Sequence, residues 1–201
     1  MSIMFQARGG ASEEIVRAAR AEGADPEWVR RMVATGRAVV PFNPLHSPEP
    51  CAIGEGLAVK VNANVGTSRD LPDLGPELEK ARIAVRYGAD TLMDLSTGGD
   101  IDEVRRAILK ETRVPVGTVP IYQEGLRAAR RSAVVDMDED DMFNGIERHA
   151  KDGVDFMTVH CGITLESVAH LRRAERLTDV VSRGGAFLTA WVLHNEQENP
   201  L

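Results

Sequence analysis

The sequence predicts an α/β fold of the (β/α)8 barrel type. It is expected as an incomplete barrel of about five β/α units over residues 58–201, behind a small helical segment and irregular connector over 1–57. Three observations predict it. From Leu57 onward, short apolar runs alternate with longer helical ones, the pattern of parallel strands joined by crossover helices. Each strand run ends in groups that hydrogen-bond or ionise, and a barrel opens all its strand carboxyl ends on one face. An open doubly wound sheet gathers ligands chiefly at one switch point rather than along five successive strands.

Near the amino terminus, Asp25 followed by Pro26 and Glu27 is a helix start, and Trp28, Met32 and Val33 then recur at helical spacing. Pro41 to Gly56 holds four prolines and no helical or strand period, so it reads as an irregular connector. The strand runs are Ala58–Asn64, Thr91–Leu95, Val114–Pro120, Phe156–His160 and Asp179–Ser182. Helical patterning covers Pro76–Tyr87, Ile101–Glu111, Glu139–Lys151 and Leu165–Arg176. One junction occurs twice: Gly88-Ala-Asp leads into TLMDL and Gly153-Val-Asp into FMTVH, with Gly suited to the left-handed position after a helix. A barrel needs roughly 250 residues. Five parallel strands therefore leave two unpaired edges, which invite pairing with another chain.

Of the 201 residues, 43% are apolar, enough for a sizeable core. The net charge of −7 removes any generic pull toward nucleic acid or anionic lipid, so a bound phosphate must be held by a local site. Cys51 and Cys161 form neither a CxxC nor a disulfide framework, and no apolar run approaches the ~18 residues of a membrane span. The expectation is a cytoplasmic protein without a membrane or nucleic-acid partner.

The polar residues at the strand ends are the chemical candidates. Val181-Ser182-Arg183-Gly184-Gly185-Ala186 joins a strand to an apolar helix; close backbone approach, free N–H groups and two added donors suit a phosphate monoester. The same glycines also suit a plain strand-to-helix turn. His160 could orient a substrate, shuttle a proton or bind metal, or be a satisfied structural histidine; no His or carboxylate stands at metal-site spacing to it. Asn62 and Asn64 lie on one side of a strand, knitted into a network or held for a ligand. Met93 is core unless it reaches a barrel mouth, Asp94 is a base or a partner of a nearby Ser, and Tyr122 donates a hydroxyl or packs at a rim. The acidic run Asp136–Asp141 lacks the Gly and spacing of an EF-hand loop and reads as a solvated helix start.

The strings VNANVGTS, GADTLMDLSTGGDIDEVRRAI, VPVGTVPIYQ, GVDFMTVHCG and VSRGGAFLTAWVLHNEQENPL, in this order, resemble the phosphomethylpyrimidine synthase (ThiC) family of thiamin biosynthesis. The resemblance implies a (β/α)8 barrel enzyme of the radical S-adenosylmethionine type, a carbon–carbon lyase. In that family a [4Fe-4S] cluster and S-adenosylmethionine generate a radical that rearranges 5-aminoimidazole ribonucleotide into 4-amino-5-hydroxymethyl-2-methylpyrimidine phosphate. A divalent metal, zinc or iron, and a homodimer or other homo-oligomer are also implied. It places substrate contacts on Asn64, Met93, Tyr122 and His160, with Ser182, Arg183 and Gly184 in the phosphate-handling loop.

The family's DGLR segment, its two metal-binding histidines and its CxxCxxxxC cluster motif have no counterpart in these residues. No catalytic or metal residue is therefore assigned here, and the chain alone is expected to be inactive. Phe42-Asn43-Pro44-Leu45-His46 departs from the family's Pro-Ala-Asn-Ile-Asn-His, leaving that loop's role open. Two alternatives stand beside the synthase: a 5-hydroxybenzimidazole synthase acting on the same ribonucleotide, and a non-catalytic binder of phosphorylated ligands.

Overall fold

The computed structural model describes residues 2–174 and 176–201. Three short helices come first: α1 (Ile3–Ala7), α2 (Glu13–Ala21) and α3 (Pro26–Ala34). Asp25 caps α3 as the sequence predicts, its carboxylate accepting from the Trp28 N–H, with Pro26 in the first turn. The apolar faces of these helices meet in a core of Ile15, Ala18, Val29, Met32 and Val33, to which Val40 and Ala52 of the connector also contribute. The connector is not free of strand: Ala38–Val39 (β1) pairs antiparallel with Ile53–Gly54 (β2).

The main sheet has four parallel strands: β3 (Asn62–Val65), β4 (Thr91–Asp94), β5 (Val116–Thr118) and β6 (Phe156–Met157). They lie side by side in chain order. Helices α4 (Leu74–Arg86), α5 (Ile101–Glu111) and α7 (Glu139–Asp152) link them. Val65, Ala81, Leu92, Val104, Ile108 and Val116 form the core between sheet and helices. Asp138 and Asp141 cap α7 reciprocally, so the acidic run is a helix start.

Several expected boundaries move. Asp179–Ser182 is no strand, so among the described residues four parallel strands stand where about five were expected. Its would-be neighbour β6 offers a ladder only two residues long, and Val181 is exposed. The β6 run ends at Met157, leaving His160 in the following turn. Val114–Pro120 contracts to Val116–Thr118 because Pro120, which lacks the N–H a ladder needs, opens a further helix, α6 (Pro120–Arg131). Tyr122 therefore sits in the first turn of a helix rather than at a strand end. Beyond the sheet come α8 (Leu165–Arg173) and α9 (Arg183–Asn195). Leu188, Trp191 and Val192 of α9 pack with Ile121 and Ala128 of α6 in a third core, and the Trp191 indole donates to the Met137 carbonyl at 2.6 Å.

The repeated Gly-X-Asp junction is a structural device. Gly88 (φ +94°) and Gly153 (φ +105°) take the left-handed turn after α4 and α7. Two residues on, the Asp90 N–H donates to the Val61 carbonyl (2.8 Å) and its carboxylate accepts from the Val61 N–H (2.7 Å). Asp155 does the same to Val116, at 2.9 and 2.8 Å. Each staple sets the start of a strand against its predecessor.

Candidate functional site

All four parallel strands point the same way, so the residues at and beyond their carboxyl ends gather at one end of the sheet. Asn64 of β3 lies in register with Met93 of β4, and Met93 with Gly117 of β5. The Asn62 side chain is knitted into the sheet, accepting from the Thr91 hydroxyl (2.8 Å) and donating to the side-chain Oδ1 of Asn64 at 3.3 Å. Met93 and Tyr122 are half-buried and pack against the same core.

Ser182 caps α9: its Oγ accepts from the Gly185 N–H at 3.2 Å and stands 3.2 Å from His160 Nε2. Arg183, the next residue, lays its guanidinium 5.1 Å from the centroid of the Tyr122 ring. Gly184 is buried against the His160 imidazole, and a Cβ there would stand 2.3 Å from His160 Cε1. His160 is held from the other side by Asn199, whose side-chain amide donates to the His160 carbonyl at 3.0 Å. Burial keeps the imidazole below its ordinary pKa, and its Nδ1 is buried without a hydrogen-bond partner. A buried ring nitrogen with nothing to bond is costly unless something else supplies the partner.

Of the sequence candidates, Tyr122, His160, Ser182, Arg183 and Gly184 are thus joined by direct contacts, while Asn64 and Met93 are aligned by strand register. Beside the cluster, Arg69, Thr97, Leu126, Phe187 and Arg183 border a cavity of about 340 Å³. Beneath it, Asp94, Ser96, Thr118, Tyr122, Gln123 and His149 enclose a space of about 10 Å³, close to the room of one water. Asp94 is the partner of Ser96, accepting from its N–H (2.9 Å) and hydroxyl (2.5 Å); burial nevertheless pushes its pKa up.

A buried polar network that the sequence reading missed underlies this end. Arg105, fully buried in α5, bonds Asp102, Asp152 (2.5 Å) and Gln123 (2.8 Å) and stands 3.1 Å from His149 Nε2. The Gln123 amide nitrogen donates to Asp102, so its oxygen faces both Arg105 and His149 Nε2 (2.8 Å). His149 Nε2–H then donates to Gln123, and Nδ1 accepts from the Thr118 hydroxyl at 2.8 Å. Burial and the neighbouring Arg105 charge lower His149 to about 3, so it stays neutral. In sequence, Arg105 falls among exposed helical charges and carries no sign of burial.

The Radical SAM ThiC family model matches residues 2–201. This chain belongs to that family. Phosphomethylpyrimidine synthase of Pyrococcus furiosus is 54% identical over 195 residues, covering 96% of this chain and 46% of that protein. The Methanopyrus kandleri synthase is 53% identical over 204 residues (100% and 48%), and that of Thermus thermophilus 53% over 196 (96% and 45%). The chain spans about half the length of these curated relatives.

The radical S-adenosylmethionine family implies that cofactor and an iron–sulfur cluster, and cluster binding takes several closely placed thiolates. Here Cys51 is half-buried in the connector, with its thiol pushed up by burial, and Cys161 is exposed beside His160. Among the described residues no group of three or more His, Cys, Asp or Glu is placed to hold a metal ion. The residues present do not fit the cluster, and no chemical step is derived through it. Nor is any described helix long and apolar enough to cross a membrane.

Proposed function

We propose that these residues form the ribonucleotide-binding part of a phosphomethylpyrimidine synthase, a cytoplasmic radical S-adenosylmethionine lyase that acts on 5-aminoimidazole ribonucleotide. The observation that carries the reading is the unpaired, buried Nδ1 of His160 inside the Tyr122–Arg183–Ser182–Gly184 cluster. Arg183 and the uncapped first-turn N–H groups of α9 hold the phosphate dianion. Tyr122 fixes the guanidinium from below. His160, neutral because burial disfavours its charged form, turns its free ring nitrogen to a ligand hydroxyl or ring nitrogen. Asn64 and Met93 line the side formed by β3 and β4.

The sheet is read as part of a (β/α)8 barrel, because its strands follow chain order without the reversal that defines a doubly wound sheet. Residues 58–201 then carry the site and 1–57 pack behind it. The outer side of β3, flanked by exposed Val59 and Val61, is the edge available to further strands or to a second copy in a homo-oligomer.

Calorimetry of the folded chain with aminoimidazole ribonucleotide tests the site. Saturable binding that weakens at least about tenfold in Ser182→Ala and Arg183→Ala supports it, a loss of roughly 1.4 kcal/mol or more. Absence of binding, or binding that survives both substitutions, overturns it.

A further inference from the structure

The end of the sheet opposite the candidate site holds a second constellation of buried polar groups. The connector descends to the amino-terminal ends of β5 and β6 and is tied there by two side chains. Asn43 donates from its backbone to Asp155 Oδ1 at 2.8 Å, and its side-chain amide bridges the Ala150 and Val154 carbonyls at 2.8 and 3.1 Å. The His46 side chain is almost wholly buried, 4% exposed. Its Nδ1 stands 2.6 Å from Asp155 Oδ2 and its Nε2 stands 3.0 Å from the Thr112 carbonyl.

Both partners of the ring are acceptors. A carbonyl has no proton to give, and the Asp155 carboxylate already accepts from the Val116 and Asn43 N–H groups, as an ionised carboxylate does. Only an imidazolium, with an N–H on each nitrogen, satisfies both contacts at once; a neutral ring turns one lone pair toward an oxygen. We infer that protonated His46 is a latch, pinning the connector to the amino-terminal end of the parallel sheet and loosening it when the proton is lost.

The surroundings decide the direction. Burial opposes the charge; Arg106, Lys110, Arg113 and Asp152 are the charged groups that border the adjacent cavity with His46. Arg106 is itself paired to Asp152 at 3.0 Å. Burial disfavours the imidazolium, but the Asp155 bond and charge and the carbonyls of Thr112 and Leu109 outweigh it, so the His46 pKa is raised. The latch is therefore closed below the ordinary histidine range and opens as pH rises through the raised value. The same Asp155 staples β6 to β5, so opening exposes the underside of that junction as well as the connector.

The wild-type protein tests this directly. Ring ¹⁵N chemical shifts assigned to His46 should show both nitrogens protonated at about pH 6.5, where half of free histidines have lost a proton. Amide exchange of Asn43, Leu45, His46, Ser47 and Val116, corrected for its intrinsic pH dependence, should accelerate at least about tenfold as His46 titrates. In His46→Gln the connector should exchange rapidly at every pH. A neutral His46 at that pH, protection unchanged across its titration, or a His46→Gln variant that keeps the wild-type response would each overturn the latch. Should the variant not fold, the wild-type coincidence of ring titration and exchange decides alone.

Discussion

Gly184 shows how one missing methyl shapes the candidate site. With any side chain at 184, a Cβ would occupy the volume of the His160 ring, and the imidazole would have to leave Ser182. Gly184→Ala should therefore weaken ribonucleotide binding about tenfold or more, roughly 1.4 kcal/mol, with little change in unfolding midpoint; calorimetry paired with thermal melting checks both. Arg105 is the opposite case, a side chain whose removal is felt by everything around it. Arg105→Met leaves the Gln123 side-chain oxygen without its guanidinium donor and Asp102 and Asp152 without their nearest cation. A loss of about 3–5 kcal/mol in urea unfolding is expected, as for a broken buried ion pair.

Among the elements, the two Gly-X-Asp junctions look alike in sequence but differ in what they hold. Asp90 bonds Val61 at an outer strand, whereas the Asp155 side chain is fully buried and also receives Asn43 and His46. Asp90→Ala should cost about 1 kcal/mol and Asp155→Ala about 3 kcal/mol or more, since the latter leaves a buried imidazole and two N–H groups unpaired. Comparative denaturation of the two variants measures the difference. Helix starts were the most legible elements: Asp25-Pro26 and the acidic run at the start of α7 cap as their residue types dictate, whereas Ser182, expected to end a strand, caps α9. Helix α6 is hidden in the sequence, because the expected strand Val114–Pro120 extends through Pro120, whereas Pro120 begins the helix. The strand expected at Asp179–Ser182 did not form. Local apolar patterning cannot supply the neighbour that a strand requires.

For the whole molecule, two histidines bend stability in opposite directions with pH. His149 falls to about 3 in the fold against about 6.5 unfolded, so the native state binds fewer protons between those values. Its contribution is complete above about pH 6.5 and drains away as pH falls toward 3. Asp102, held to about 2 by Gln123, Arg105 and Arg127 despite the burial that opposes it, adds an acid-side loss below the ordinary carboxylate range. The urea midpoint should fall steadily between about pH 6.5 and 4.5, and His149→Gln should flatten that slope. A wild-type midpoint that stays level over this range would contradict the neutral, buried His149. His46 acts on the alkaline side, where its raised pKa makes stability decline with rising pH.

By itself the sequence determined the β/α alternation, the helix starts at Asp25 and in the acidic run, and the glycine turns after α4 and α7. These follow from local rules, period, φ preference and capping chemistry, that act within a few residues. Tertiary structure alone decided that four strands pair in chain order, that Tyr122 meets Arg183 and His160 meets Ser182, and that Asn43 and Asp155, 112 residues apart, join the connector to the sheet. It also buried Arg105 and His149, for which the sequence offers no sign of burial. Burial and partnership are properties of distant chain segments brought together, and no local pattern carries them.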